Sequence, residues 1–232
     1  MTTLHLLCAG AAQGLVKALQ ERFLAETGAQ LQARFGAVGA MKEALFAGAP
    51  CDVMIVTAAM VDALCAEGRL RAGTRVALGQ VFTGVAVQAG TPHPDVGTPA
   101  ALKAALLRSS DIYFPDAVRA TAGIHFARVM AELGIRETLE PRFRTYPAGA
   151  IAMQALATAT GAAPIGCTQV TEIKYTPGVE LVGLLPPEFA LATTYTAAVS
   201  AQAAEPALAA AFIGLLVGAD TRALRAAGGF EF

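Results

Sequence analysis

Short apolar runs, each followed by a small-residue turn and then by apolar residues at helical spacing, constrain this chain more than any other feature. The run TLHLLC (3–8) precedes AGAAQG, after which Leu15, Leu19 and Phe23 recur at helical intervals up to Gly28, a helix stop. Residues 30–35 alternate, with Leu31, Ala33 and Phe35 on one side and Gln30, Gln32 and Arg34 on the other, which predicts a strand with one buried face. A GAVGA turn and a short helix over 41–47 lead to CDVMIVT (51–57), whose continuous apolar character suits a parallel strand covered on both faces.

The theme continues with a helix over 60–67, a strand over 81–88 and the Pro-rich loop TPHPDVGTP. Helices are predicted over 99–107, 122–133 and 149–160, and strands over 112–114, 142–146, 164–168, 180–185 and 194–200. A helical region from residue 205 closes the chain. Strands separated by helices read as βαβ units with parallel sheets, an α/β chain of one or two units. No Gly-, Ser- or charge-rich linker divides it.

Composition removes several classes of function. Hydrophobic residues make up 55% of the 232 and charged residues 15%, which excludes disorder. The longest apolar stretch, 207–218, lies between Glu205 and Asp220 and has the length of a core helix, short of a membrane span. A net charge of −1 without a basic stripe argues against nucleic acid as a partner. Cys8, Cys51, Cys65 and Cys167 lack metal-ligand spacing, and His5, His93 and His125 are far apart, so neither a metal nor a cofactor is expected. No GxGxxG, GxxxxGK[ST] or GxSxG is present. The start MTTLHLLCAG has no basic region before its short apolar run. The expectation is therefore a cytoplasmic protein as the sequence stands, or a periplasmic one if a leader has been removed.

In an open α/β sheet, ligands collect beyond the carboxyl ends of the strands, where helix N-termini present unpaired N–H groups. Four turns qualify: 9–13, 36–40, 119–123 and 147–149, all rich in Gly and Ala. Taken singly each is an ordinary strand-to-helix turn, and together they could hold a small anion with few charged side chains.

The blocks CAGAAQGLVKALQERF, FGAVGAMKEALFAGAPCDVMIVTA, PDAVRATAGIHFARVMAELGI, PIGCTQVTEI and LRAAGGFEF together resemble the periplasmic molybdate-binding proteins of ABC transporters over nearly the whole chain. AGAPCDV is the most specific, since that family carries an AGAPADL-type segment before its third strand. The resemblance implies the type II periplasmic-binding fold, two α/β lobes joined by two crossing strands with the ligand between lobes. It places lobe one at 1–83 plus 196–232 and lobe two at 84–195. It also implies a small anionic ligand and, for an exported protein, an ABC transporter permease as partner.

The family's molybdate site uses a Ser in each of the first two turns, backbone amides in the next two, and a Tyr after the strand that corresponds to 164–168. Those places fall nearest Ala11, Val38 or Gly39, Ala122, Ala148 and Gln169. All three hydroxyl donors are missing, and each hydrogen bond to a charged ligand is worth roughly 1.5–3 kcal/mol. Molybdate and tungstate are therefore not the expected ligands, and submicromolar binding of either by calorimetry would sink that expectation.

The polar residues left near these turns are Gln13, Thr57, Arg119, Thr121, Tyr146, Thr168, Gln169 and Thr171. An Arg before a helix-opening turn suits a carboxylate through its planar fork, although such an Arg can equally be a solvated loop residue. Gln169 and its Thr neighbours offer donors and acceptors, which favours an organic acid over a tetrahedral oxyanion. CTQVTE read blandly is a polar strand end.

The larger family also includes a bacterial aconitate isomerase, whose reaction would need carboxylate clamps and a group able to exchange a proton. His125, Glu172, Lys42, Cys8 and Tyr146 are candidates. Each has a plainer reading: His125 as a packed core residue, Cys8 as an inert strand end, Glu172 as solvated, Lys42 as a helix-face charge. An anion-binding module and a cytoplasmic tricarboxylate isomerase both remain open, as does a sensor that would need a partner.

Overall fold

The computed structural model describes residues 2–232. Its strands are β1 (Thr3–Ala9), β2 (Gln30–Gly36), β3 (Val53–Thr57), β4 (Val76–Gln88), β5 (Ile112–Pro115), β6 (Phe143–Tyr146), β7 (Ile165–Gln169), β8 (Val179–Leu184) and β9 (Ala192–Val199). Its helices are α1 (Gln13–Thr27), α2 (Val38–Phe46), α3 (Ala58–Ala66), α4 (Pro99–Arg108), α5 (Thr121–Glu132), α6 (Arg136–Leu139), α7 (Gly149–Ala157), α8 (Val170–Tyr175), α9 (Pro206–Val217) and α10 (Arg222–Ala227). Two compact units emerge, Met1–Val81 with Thr193–Phe232, and Phe82–Ala192. The chain passes from one to the other within β4 and returns within β9.

In the first unit the strand order is β2-β1-β3-β9. β1 runs parallel to β2, with Cys8 beside Phe35, and parallel to β3, with Cys8 beside Ile55. β9 follows, antiparallel to β3. The apolar run of β3 is fully buried from Val53 to Val56, as a strand covered on both faces requires. α1 buries Leu15, Val16, Leu19 and Phe23 and stops at Gly28, whose φ of 70° is the left-handed conformation that glycine adopts without a Cβ penalty. Phe23 meets Phe212 of α9 edge to face, ring centroids 5.1 Å apart. α9 is the long apolar stretch, buried through Ala209, Phe212, Ile213 and Leu216. Among the described residues, no single helix is long and apolar enough to cross a membrane.

Asp52, buried just before β3, fastens this unit. Its carboxylate accepts from the backbone N–H groups of His5 at 2.8 Å, Ala204 at 2.7 Å and Glu205 at 3.1 Å. The last two immediately precede α9, so the aspartate ties the entry of that helix to a distant part of the chain.

The second unit has the order β8-β4-β7-β5-β6, with β5 parallel to β6 and β7, and β4 antiparallel to β7 and β8. The period of two divides its core. Val85 and Val87 of β4, Ile112 and Phe114 of β5, and Ile165 and Cys167 of β7 pack with Leu102 and Leu106 of α4 and Phe126 and Met130 of α5. The intervening Ala86 and Tyr113 face Met153 and Leu156 of α7 and Ile173 of α8.

Several expected boundaries shift. The strand expected from 81 begins at Val76, where Gln80 bridges to Glu231 and the buried Arg225 donates to the Leu78 carbonyl at 2.7 Å. The GAVGA segment is already helical from Val38, and α7 ends at Ala157, short of 160. CTQVTE is a strand end only as far as Gln169, and a buried helical turn follows.

Candidate functional site

Parallel strands bring their carboxyl ends to one edge of a sheet, so the topology gathers the expected residues within each unit. In the first unit β1 runs into a 3-10 turn, Gly10–Ala12, and then α1. β2 runs through Ala37 into α2, and β3 ends at Thr57 where α3 begins. Ala11, Gln13, Val38, Gly39 and Thr57 thus share one end of that sheet. Ala11 and Val38 are buried, and Gln13, Gly39 and Thr57 are half-buried.

In the second unit β5, β6 and β7 lead into α5, α7 and α8. Arg119, Thr121, Ala122, Ala148 and Gln169 accordingly lie at one end of its sheet. Ala122, Ala148 and Gln169 are buried, and Arg119 is exposed.

The caps of these helices differ from common practice. The 3-10 turn before α1 opens at Ala9, α2 at Ala37, α5 at Ala120 and α7 at Ala148, and none has a side-chain cap. Alanine at an N-cap leaves first-turn N–H groups without the partner that Ser, Thr or Asp supplies, a difference of about 1 kcal/mol. The start of α4 shows the usual chemistry, with Thr98 Oγ1 accepting from the Ala101 N–H at 3.1 Å. At the strand ends only Thr57 does so, accepting from Met60 N at 3.4 Å.

Arg119 folds back onto Asp116. The carboxylate accepts from the backbone N–H groups of Val118 at 2.7 Å and Arg119 at 3.0 Å, and from the Arg119 Nε at 3.1 Å. Burial works against these bonds, yet together they hold the Asp116 carboxyl below its usual range. The guanidinium is therefore oriented by a carboxylate of its own loop.

Glu172, one of the proton-exchange candidates, departs from its plainer reading. Far from solvated, it is buried at 6% exposure, one turn into α8. Its carboxylate accepts from Thr168 Oγ1 at 2.5 Å and from the backbone N–H groups of Gly149, Ala150 and Gln169. The first-turn donors of α7 are thus filled from within the chain, and Thr168, expected to be available, is committed to the same carboxylate. Burial pushes the Glu172 carboxyl up against the opposite pull of its four donors. A Cβ added to Gly149 would lie 2.0 Å from Glu172 Oε2 and 2.0 Å from Thr168 Oγ1, so glycine is what lets the carboxylate reach the helix end.

The other candidate proton-exchange groups are scattered. His125 is half-exposed, not a packed core residue, with Nε2 2.8 Å from the Phe189 carbonyl. Cys8 is fully buried in β1, where burial raises its thiol far above the usual range. Lys42 lies over the Phe46 ring at 5.5 Å, and Tyr146 stacks on Tyr113 with centroids 6.2 Å apart. Among the described residues, no group of three or more His, Cys, Asp or Glu could hold a metal ion.

Comparison with known proteins gives these turns a family context. The model of the bacterial extracellular solute-binding protein family matches residues 4–231. The chain belongs to this family. Among curated proteins the solute-binding chain is similar to an aconitate isomerase of a Pseudomonas species, 27% identical over 226 residues, covering 95% of this chain and 84% of that one. Among solved structures it is similar to the periplasmic molybdate-binding protein of Azotobacter vinelandii, with a TM-score of 0.81, 19% identity and 99% of each chain covered. It is also similar to the sulfate-binding protein SubI of Mycobacterium tuberculosis, with a TM-score of 0.75, 17% identity, and 99% of this chain and 86% of that one covered. The α/β fold is that of the periplasmic binding proteins.

Proposed function

We propose that this solute-binding protein takes a small organic carboxylate at the carboxyl ends of its parallel strands. The observation that carries the reading is the set of helices there that open at a buried alanine, Ala9, Ala37 and Ala120, which offers no side-chain cap. Donors withheld from side-chain caps are available to an anion. The candidate residues are Ala11, Gln13, Val38, Gly39 and Thr57 at the strand ends of the first unit, and Arg119, Thr121, Ala122 and Gln169 at those of the second. Ala148 has a lesser part, because the α7 donors beside it serve Glu172. Serine is absent from the first two turns, which disfavours molybdate, while the Arg119 guanidinium, oriented by Asp116, brings positive charge to the strand ends. An ABC transporter permease is the partner this reading implies for an exported chain.

A thermal-shift panel of molybdate, sulfate, and di- and tricarboxylates tests the reading. A ligand that binds only the folded state stabilises it by about 2.7 kcal/mol at a hundredfold excess over Kd. The reading expects carboxylates to raise Tm and molybdate to leave it unchanged; the reverse pattern overturns it. Arg119→Ala is expected to weaken carboxylate binding, and unchanged affinity removes Arg119 from the site.

The similarity to an aconitate isomerase supports a second reading, turnover of a tricarboxylate at the same strand ends. Such a reaction takes a proton from one allylic carbon, shifts the double bond, and returns a proton to the other carbon, so it needs one group that exchanges a proton near neutral pH. An ultraviolet assay for interconversion of cis- and trans-aconitate decides it. Absence of turnover at high protein concentration removes this second reading and leaves the first.

A further inference from the structure

Three buried polar side chains on β4, at the end of β7 and at the start of α8 have no hydrogen-bond partner. The Gln169 amide is orphaned at both its nitrogen and its oxygen, and the hydroxyls of Thr83 and Thr171 are orphaned too. Their exposures are 2%, 1% and 6%. Thr83 and Gln169 are direct partners across the antiparallel pair β4 and β7, so their side chains stand on the same sheet face with Cβ atoms about 5 Å apart. Gln169 is also the N-cap residue of α8, and Thr171 is the second residue of that helix.

Burying a polar group without a partner costs roughly 1–3 kcal/mol, so three in one place mark a site whose partner is supplied from outside the chain. The amide fixes the chemistry of that partner. Its NH2 needs an acceptor and its carbonyl oxygen needs a donor, and an ionised carboxylate or a tetrahedral oxyanion supplies acceptors alone. A hydroxyl supplies both. The neighbouring charge points the same way: the Glu172 carboxylate already takes the backbone N–H of Gln169, and a second anionic group beside it would be repelled.

We infer that Thr83, Gln169 and Thr171 form a subsite for a hydroxyl group, so that the ligand is a hydroxy acid rather than a plain polycarboxylate. This rests on the carboxylate reading above and adds the neutral group that discriminates among carboxylates.

The test is calorimetric binding of two matched pairs, citrate against tricarballylate and malate against succinate, to the wild-type chain, Gln169→Leu and Thr83→Val. The wild type is expected to favour the hydroxylated member of at least one pair by about tenfold or more, the discrimination expected of a hydrogen bond worth about 1.4 kcal/mol. Gln169→Leu is expected to bring that ratio to within about twofold, whatever its effect on the plain acid. Thr83→Val should reduce the ratio in part. Both variants replace an orphaned buried polar group by an apolar one, so their ligand-free Tm should be unchanged or higher. A ratio near one in the wild type, or a ratio that survives Gln169→Leu, overturns the inference and leaves the carboxylate reading standing. A fall of several degrees in the ligand-free Tm of Gln169→Leu also overturns it, because the amide would then have a partner, such as a bound water, in the free protein. Failure of all four acids to bind overturns both.

Discussion

Gly149→Ala tests the account of the buried carboxylate, because helix propensity and local geometry predict opposite signs. Gly149 is the first residue of α7, and in an ordinary helix its replacement by alanine would stabilise by up to about 1 kcal/mol. Here the new Cβ would lie 2.0 Å from Glu172 Oε2 and from Thr168 Oγ1, whereas real Cβ atoms essentially never approach closer than 3.0 Å. One of the groups must retreat by at least the difference, 3.0 minus 2.0, or 1.0 Å. The carboxylate has little freedom to do so, since it is held at 2.5 Å by Thr168 and by the N–H groups of Gly149, Ala150 and Gln169. Overpacking typically costs about 1–3 kcal/mol, and each hydrogen bond to a charged group that lengthens past use adds roughly 1.5–3 kcal/mol. After the propensity gain, the variant should lose about 2–4 kcal/mol, read as a lower urea midpoint at pH 7 with an unchanged slope. Removing the carboxylate as well, in Gly149→Ala with Glu172→Ala, should recover most of that difference, a coupling of about 2 kcal/mol in a double-mutant cycle. A neutral or stabilising Gly149→Ala would refute the reasoning, as would strict additivity of the pair.

Glu172 also predicts a pH dependence. Its carboxyl is raised in the folded chain, so its titration favours folding most below the unfolded value of about 4.3, and that contribution fades as pH climbs through the folded value. The stability of the wild type relative to Glu172→Gln should therefore be greater at pH 4.5 than at pH 7.5, and a difference constant with pH would contradict it. Asp52→Ala should destabilise by at least about 3 kcal/mol in urea unfolding, because three backbone N–H groups lose a buried charged acceptor; a loss under about 1 kcal/mol would show that water replaces it. Burial raises all the thiols, that of Cys51 to about 12 and those of Cys8 and Cys167 well above the usual range. At pH 8 Cys8 and Cys167 should thus resist a thiol reagent in the folded protein, while the partly exposed Cys65 reacts first and all four react in denaturant.

What the sequence disclosed follows the range of the interactions involved. The α1 stop at Gly28, the alternation of β2 and the buried run of β3 each depend on neighbours a few residues away, and periodicity exposes them. β2 lies at the edge of its sheet, which is why Leu31, Ala33 and Phe35 are only half-buried although the alternation is clean. The beginning of β4 was hidden because its partners are remote: Glu231 bridges Gln80 and Arg225 bonds Leu78. Glu172 was misread for the same reason. In TQVTEIKY it looks like a solvated acid, and only the folding of α7 against α8 delivers the N–H groups of Gly149 and Ala150 to it.

Glu172 also changes how the small-residue turns should be weighed. Four turns of similar composition suggested four equivalent anion donors, yet one of them, at α7, already holds an anion supplied by the chain. In the second unit the donors that remain at α5 and the orphaned amide of Gln169 are chemically unlike one another: backbone N–H groups need only an acceptor as partner, and the amide requires a donor as well. A spherical oxyanion presents the same face everywhere and would leave the amide oxygen unpaired wherever it bound. A molecule with a carboxylate at one end and a hydroxyl at the other meets both demands. The internal carboxylate, by spending the fourth turn, is therefore what makes the strand ends of the second unit suited to an asymmetric ligand.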